Sequence, residues 1–409
     1  MVETDITNPF KPGAGHMPPY LAGRESEKKE FGKLISQTTI LENLVLTGLR
    51  GVGKTVLLDV FKPIAQANGW YWVGTDLSEA ASLNEQNIST RLLTDVSVLT
   101  SGLVIGQTEQ RGIGFTQDAE TQDLHLNFQT LMGIYDQTPG LPGDKLKNVL
   151  EVVWSILSKE NNFKGIIFAY DEAQNLADHT DKDQFPLSLL LDTFQSIQRK
   201  EIPFMLALTG LPTLFPKLVE SRTFSERMFR VIFLDKLDDD SVKEAIKKPL
   251  VNHQISLSDK SIDQIVDLSG GYPYFVQFIC REVYDLFIQK IGSGQEPSVP
   301  ISEIVQKLDT DFFSGRWARA TDRQRELLAV VAELTQNEED EFAVQDVVSK
   351  SKEILDKPFS SSHVNQMLST LSDAGLVYKN RYGKYSFAVP LLGNFIKRQQ
   401  IPGVNPFSL

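Results

Sequence analysis

The sequence predicts an α/β protein: a parallel sheet covered on both faces, then a helical lid, then a C-terminal winged helix. Three observations carry this expectation. Near-continuously apolar runs at Leu44–Thr47, Trp70–Val73, Gly165–Tyr170, Met205–Gly210 and Val231–Leu234 alternate with helical spacing, as strands buried on both faces do. From about Asp238 to Ile291 the strand signals stop and helices take over. Residues 321–399 then show helices closed by a short hairpin pattern. A chain of 409 residues is expected to hold about two to three domains. We divide it into an extended arm (1–19), a core (20–237), a lid (238–317), a winged helix (318–400) and a tail (401–409).

Taken in order, the Pro- and Gly-rich residues 1–19 read as an arm rather than a core element. A helix is expected from Glu27 to Ile35, and the first strand follows it. Behind that strand, Gly48-Leu49-Arg50-Gly51-Val52-Gly53-Lys54-Thr55 fits G-x-x-x-x-G-K-[ST], and Val56–Phe61 opens a helix with a buried face. Strand, glycine loop and helix together predict a phosphate-binding loop, the mark of a P-loop NTPase core. Trp70–Val73 is the second strand, ending at Gly74-Thr75-Asp76. Gly102–Ile105 and Gly112–Phe115 are expected to form a hairpin or a flexible insertion. Residues 144–159 place Leu146, Val149, Leu150, Val153, Trp154 and Leu157 on one side of a helix. In the last part, helices are expected at Arg323–Leu334, Val344–Ser351 and Ser360–Ser372, with strands at Leu376–Lys379 and Lys384–Val389.

Composition excludes several classes. Hydrophobic and charged contents of 41% and 23% are ordinary for a soluble globular chain. No apolar run approaches the length of a membrane span, and Met1–Asp5 lacks the regions of a signal peptide, so a cytoplasmic protein is expected. The one cysteine, Cys280, lies in an apolar helical stretch and reads as core. Five histidines and one cysteine leave no zinc site. A net charge of −12 argues against a surface that coats nucleic acid, although residues 350–400 carry eight Lys and Arg against three acids.

The chemistry is expected around the glycine loop. Its N–H groups and the following helix N-terminus suit an anion, Lys54 would reach the outer phosphates, and Thr55 would hold Mg²⁺. Tyr170-Asp171-Glu172 ends an apolar strand, expected to neighbour the loop strand. That position would put Asp171 beside the metal and let Glu172 polarise a water; alternatively the acids cap the next helix. Thr209 either orients that water or touches the γ-phosphate, or simply ends a strand in a turn with Gly210. Arg227, with Arg222 second, is the candidate for stabilising transferred charge from a neighbouring subunit; both could instead make surface ion pairs. Gly270-Gly271-Tyr272-Pro273-Tyr274 opens a helix, either against a nucleotide base or as a tight lid turn. Ser361, Ser362, His363, Asn365 and Gln366 would face a DNA groove, with Arg381 and Lys384 on the wing; the same scaffold also docks proteins.

With these residues in place, the chain resembles AAA+-type ATPases related to archaeal and eukaryotic origin-recognition proteins, overlapping the STAND signalling ATPases, over about residues 20–400. The resemblance rests on the phosphate loop and Asp171-Glu172-Ala173-Gln174 above all. Leu21-Ala22-Gly23-Arg24-Glu25, Ala245–Leu250, Gly271-Tyr272-Pro273 and the Arg323–Phe387 region add to it. It implies ATP with Mg²⁺, a nucleotide held by Gly23, Arg24, Gly48, Arg50, Gly51, Val52, Gly53, Lys54, Thr55 and Pro273, a sensor at Thr209 and a trans-acting finger at Arg227. Origin-recognition ATPases usually carry a second sensor arginine where this chain has Gly271-Tyr272-Pro273, with Arg281 a weak substitute; this departure points toward a slow switch. The expected function is an ATP-hydrolysing switch acting in replication, transposition or defence against mobile DNA, working as a homo- or hetero-oligomer. The alternative is a signalling scaffold whose winged helix docks proteins without DNA.

Overall fold

A computed structural model describes residues 7–110, 120–251, 253, 255–292, 299–335, 340–380 and 383–399. In the core, the elements run α1 (Glu25–Ile35), β1 (Asn43–Gly48), α2 (Lys54–Ala67), β2 (Trp70–Val73), α3 (Glu85–Thr100), β3 (Val104–Gln110), β4 (Glu120–His125), α4 (Phe128–Gln137) and α5 (Pro142–Leu157). They continue with β5 (Gly165–Tyr170), α6 (Pro186–Gln198), β6 (Phe204–Gly210), α7 (Leu214–Ser221), α8 (Ser225–Met228) and β7 (Phe229–Leu234). Helices then follow: α9 (Asp239–Leu250), α10 (Asp259–Ser269), α11 (Pro273–Gly292), α12 (Ile301–Leu308), a π-helical turn (Asp309–Phe313) and α13 (Ser314–Trp317). The last part comprises α14 (Asp322–Leu334), α15 (Val344–Ile354), α16 (Ser361–Asp373), the antiparallel pair β8 (Val377–Lys379) and β9 (Tyr385–Phe387), and α17 (Leu392–Lys397).

The five parallel strands lie in the order β2-β5-β6-β1-β7. Alternation along each strand feeds two cores. Leu44, Leu46, Ile167, Ala169, Met205 and Ala207 face α1 and α2, in a core continuous with the lid and the C-terminal helices. Val45, Ile166, Phe168, Tyr170, Leu206 and Leu208 face the core built by α3 to α7. A one-residue slip of any strand would exchange its two faces, so the register is held by both cores at once. Cys280 lies buried in the first core, where burial pushes its thiol pKa up and makes it inert. No helix among the described residues is long and apolar enough to cross a membrane.

Three expectations need correction. The strand that ends at Asp171 does not neighbour the loop strand, because β6 lies between β5 and β1. The strand returning from β3 is β4, Glu120–His125; Gly112–Phe115 lies outside the described residues. The arm has no helix or strand over residues 7–19, yet Phe10 is buried and packs edge-on against Tyr284 at 6.4 Å. An aromatic ring finding an apolar niche on the lid turns an extended segment into a core element.

The N-terminal edge of the sheet is tied by Asn43. Its amide donates to Gln198 Oε1 (3.1 Å) and the Met228 carbonyl (3.2 Å), and its oxygen accepts from the Leu206 N–H (2.7 Å) and Gln198 Nε2 (2.8 Å). Asn43→Ala strands these buried partners, so urea unfolding should show a loss of about 2–3 kcal/mol with an unchanged slope.

Candidate nucleotide-binding site

The loop after β1 owes its shape to Gly51 and Gly53, with φ of 79° and 91°. Gly53 caps α2, so the first N–H groups of that helix open toward the loop. Gly48 is a site of close approach, since a Cβ there would lie 2.4 Å from the Leu234 carbonyl oxygen. The loop's carbonyls point outward and are partnered. Gly51 O accepts the Tyr274 N–H at 3.1 Å from the first turn of α11. Val52 O accepts Arg24 Nη2 at 3.0 Å; the same nitrogen reaches Asp235 O at 2.8 Å, while Nη1 pairs with Glu27 at 3.0 Å.

Lys54 folds back over its own loop, donating to the carbonyls of Gly48 (3.0 Å) and Leu49 (2.9 Å). Desolvation pushes its pKa down to about 8, against the opposing pull of Asp171 and Glu172. One Asp171 carboxylate oxygen accepts the Thr55 hydroxyl. The other accepts the Thr209 hydroxyl and the Glu172 N–H, the latter at 2.7 Å. Although Thr209's strand β6 lies between β5 and β1, Asp171 still meets Thr55 directly and holds Thr209 with its other oxygen. The hydroxyl of Thr209 is therefore committed to Asp171 and does not open into the cavity. Glu172 does line the cavity, with a left-handed φ of 52°, a conformation costing a non-glycine residue about 1–3 kcal/mol. Its carboxylate accepts the Gln174 side-chain amide.

Arg50 to Val56 and Glu172 border a cavity of about 280 Å³. Its lining includes the apolar Tyr20, Leu21, Ala22, Leu237, Ala245 and Val276 and the polar Arg50, Lys54, Thr55, Glu172 and Arg316. The arm forms a further wall. Lys11 N donates to Gln277 Oε1 at 3.2 Å, and a Cβ on Gly15 would touch Thr55 Cγ2 at 3.4 Å. Arg24, Val52 and Pro273 line the cavity, whereas Gly23 backs onto α9, where a Cβ would meet Ser241 Oγ at 2.6 Å. The Gly270-Gly271 turn has φ of 56° and 81°, and Gly271 O accepts the Leu237 N–H at 2.8 Å. The tight lid turn and the cavity wall are thus the same feature.

Other expected residues lie elsewhere. Arg227 is exposed on α8, beside the N-terminal edge of the sheet, because Phe229 pairs with Asn43 at the start of β1. It is far from its own phosphate loop and makes no ion pair among the described residues. Arg222 is held bidentately by Asp192 at 2.8 and 2.7 Å. Arg281 does not line the cavity; it is exposed on α11, and its carbonyl accepts the Asn8 amide. Ser362, His363, Asn365 and Gln366 are exposed on α16. Lys384 faces Glu341 at 3.7 Å, and Arg381 lies outside the described residues. Part of the local positive charge is neutralised, since Lys350 pairs with Glu353 and Arg398 with Asp309. Sequence reasoning missed the arm residues and Arg316 as parts of the cavity. The dense run Phe312-Phe313-Ser314-Gly315-Arg316-Trp317 was the available signal for Arg316.

The profile of a domain of unknown function (DUF8462) matches residues 310–396. No curated protein sequence matches the chain. Among solved structures, the chain is similar to the Walker-type ATPase of Pyrococcus abyssi, at 14% identity and a TM-score of 0.56, covering 92% of this chain and 96% of that one. It is also similar to the ADP form of the ORC2 protein of Aeropyrum pernix, at 12% identity and a TM-score of 0.55, covering 95% and 98%. These likenesses show the fold alone: a parallel sheet flanked by helices, as in a P-loop NTPase core.

The Lys54 environment carries a signed pH prediction. In the ligand-free chain, the cost of the desolvated cation is fully present below about pH 8 and is relieved as pH rises toward 10.5. A phosphate group arriving at Lys54 restores the proton, so titration calorimetry at pH 8 in buffers of different ionisation enthalpy should show uptake of up to about half a proton. Lys54→Met should abolish both the uptake and the binding.

Proposed function

We propose that this protein is an ATP-hydrolysing switch in which nucleotide state at the phosphate loop sets the placement of the C-terminal helices and hairpin. The observation that carries the reading is the Asp171 carboxylate, which gathers Thr209 and Thr55, the latter in the lining of a cavity shared by Lys54 and Glu172. Among the described residues no group of three or more His, Cys, Asp and Glu could hold a metal alone. Thr55 and Asp171 suit Mg²⁺, which takes one or two protein oxygens and completes its shell with phosphate oxygens and water. Bound there, Mg²⁺ supplies charge neutralisation for the phosphates. Lys54 leaves its own carbonyls to meet the outer phosphates, Glu172 orients and deprotonates a water, and the apolar lining of the cavity accepts the base.

Arg227 fits a finger acting in trans: it is exposed, unpaired among the described residues and directed away from its own cavity, so an oligomer would complete the site. We read residues 20–237 as the ATPase core, 238–317 as the lid and 318–400 as a winged helix. The uncharged, exposed face of α16 supports nucleic-acid contact through groove hydrogen bonds, with few phosphate contacts beside it. Replication, transposition and defence against mobile DNA are the transactions that such a switch serves.

Glu172→Gln should keep ATP while slowing its hydrolysis by about 10²- to 10⁴-fold; wild-type turnover would displace Glu172 as the water activator. Captured with ATP, this variant should retain duplex DNA in a manner that weakens as salt rises, with a shallow slope set by the few phosphate contacts. Retention of protein alone, unaffected by salt, selects the scaffold reading instead. Mixing Arg227→Ala with Glu172→Gln subunits should restore part of the ATPase activity that neither has alone; no recovery at any ratio removes the trans role.

A further inference from the structure

The arm holds no helix or strand over residues 7–19, yet it follows a defined course along the lid. Asn8 opens it. The side-chain amide of Asn8 donates to the Arg281 carbonyl at 2.9 Å and to Asp285 Oδ1 at 2.7 Å, while its oxygen accepts the Phe10 N–H at 3.0 Å. That Asx turn delivers the Phe10 ring to α11, where it is buried edge-on against Tyr284. Lys11 N–H then donates to Gln277 Oε1 at 3.2 Å. Gln277, Arg281, Tyr284 and Asp285 share one face of α11 at helical spacing, so the arm runs down that face toward the first turn and Tyr274. Its other end is tied to α9: the Tyr20 hydroxyl donates to Glu244 at 3.1 Å, and the Lys248 ammonium lies 5.9 Å from the Tyr20 ring centre.

Between these ends the hold is slight. Among the described residues, the hydrogen bond within 12–19 is the turn's own, from His16 N–H to the Gly13 carbonyl at 3.2 Å, and none ties it to the loop or the lid. Gly13, Ala14, Gly15 and His16 line the nucleotide cavity and are also exposed, so the turn is a thin wall. It nevertheless lies against the phosphate site, because Gly15, with φ of 70°, leaves room for no more than ordinary contact with Thr55 Cγ2. A segment fixed at its ends and loose in its middle opens locally far more readily than the cores around it. We propose that the Gly13–His16 turn is a strap across the cavity that must lift from Thr55 before a nucleotide enters or leaves, and that docking of Asn8 and Phe10 on α11 sets how often it lifts. The proposal rests on the nucleotide reading above. It makes exchange, rather than affinity, the property that the arm controls.

The test follows methylanthraniloyl-labelled ADP on the full chain by stopped flow, with association measured directly and dissociation by a chase of unlabelled ADP. Phe10→Ala should speed both steps by about 10- to 100-fold, the equilibrium worth of one buried aromatic ring, and leave the Kd within about threefold. Asn8→Ala leaves the ring in place and should speed both steps by about 3- to 10-fold, which decides the matter should the Phe10 variant fold poorly. Unchanged rates in both variants overturn the strap. Faster dissociation with unaltered association also overturns it, since the arm would then be a binding wall and not a gate. Failure of the wild-type chain to take up labelled ADP overturns the nucleotide reading itself, and the strap with it.

Discussion

A loop whose N–H groups turn inward to receive an anion must turn its carbonyls outward, and those carbonyls need donors. That constraint organises this molecule. Gly48 and Leu49 are served by Lys54, Gly51 by the Tyr274 N–H and Val52 by Arg24. Each donor comes from a different part of the chain: the loop's own helix, the lid helix α11 and the segment before α1. Losing one would leave a polar group without a partner, at a cost of about 1–3 kcal/mol where it is buried. The loop is consequently a joint between its own helix, the lid helix α11 and the segment before α1. Displacing Lys54 toward a phosphate frees two carbonyls and disturbs the balance that holds the lid.

The second organising group is Asp171. Its two oxygens take the hydroxyls of Thr55 and Thr209, so the helix after the loop and the strands β5 and β6 converge on one carboxylate. Behind it, Tyr170 donates to the buried Asp95 at 2.9 Å, anchoring the end of β5 in the second core. The tight turn into Glu172 then presents that carboxylate to the cavity. The placement of the acids thus depends on a sheet whose register is set by two cores, which is why packing distant from the site bears on its chemistry.

Much of this was legible in the sequence because it is local. The glycine loop, the apolar strands, the acids after β5 and the lid turn at Gly270-Gly271 are each defined within a few residues. What escaped is long-range. Nothing near Thr209 indicates that β6 separates β5 from β1, so the committed hydroxyl could not be read from spacing. Phe10 and Gly15 read as arm because Pro and Gly dominate their neighbourhood, yet one buried ring and one close approach to Thr55 bind that arm to the cavity. Arg281 looked available by sequence position, but it sits outside the cavity, while Arg316 reaches the cavity through a π-helical turn that no periodicity announces.

The central claim is that the phosphate loop is bonded to the lid through Tyr274 and lies against the turn after α16, where Arg50 Nη2 would stand 3.2 Å from a Cβ on Gly375. Hydrogen exchange of the Glu172→Gln chain, compared with ADP and with ATP, tests it most directly. The account predicts that exchanging ADP for ATP changes protection at Tyr274–Val276 and at Asp373–Val377 as well as at the loop itself. Changes confined to Gly48–Thr55, with the lid and the C-terminal turn unaltered, would contradict it.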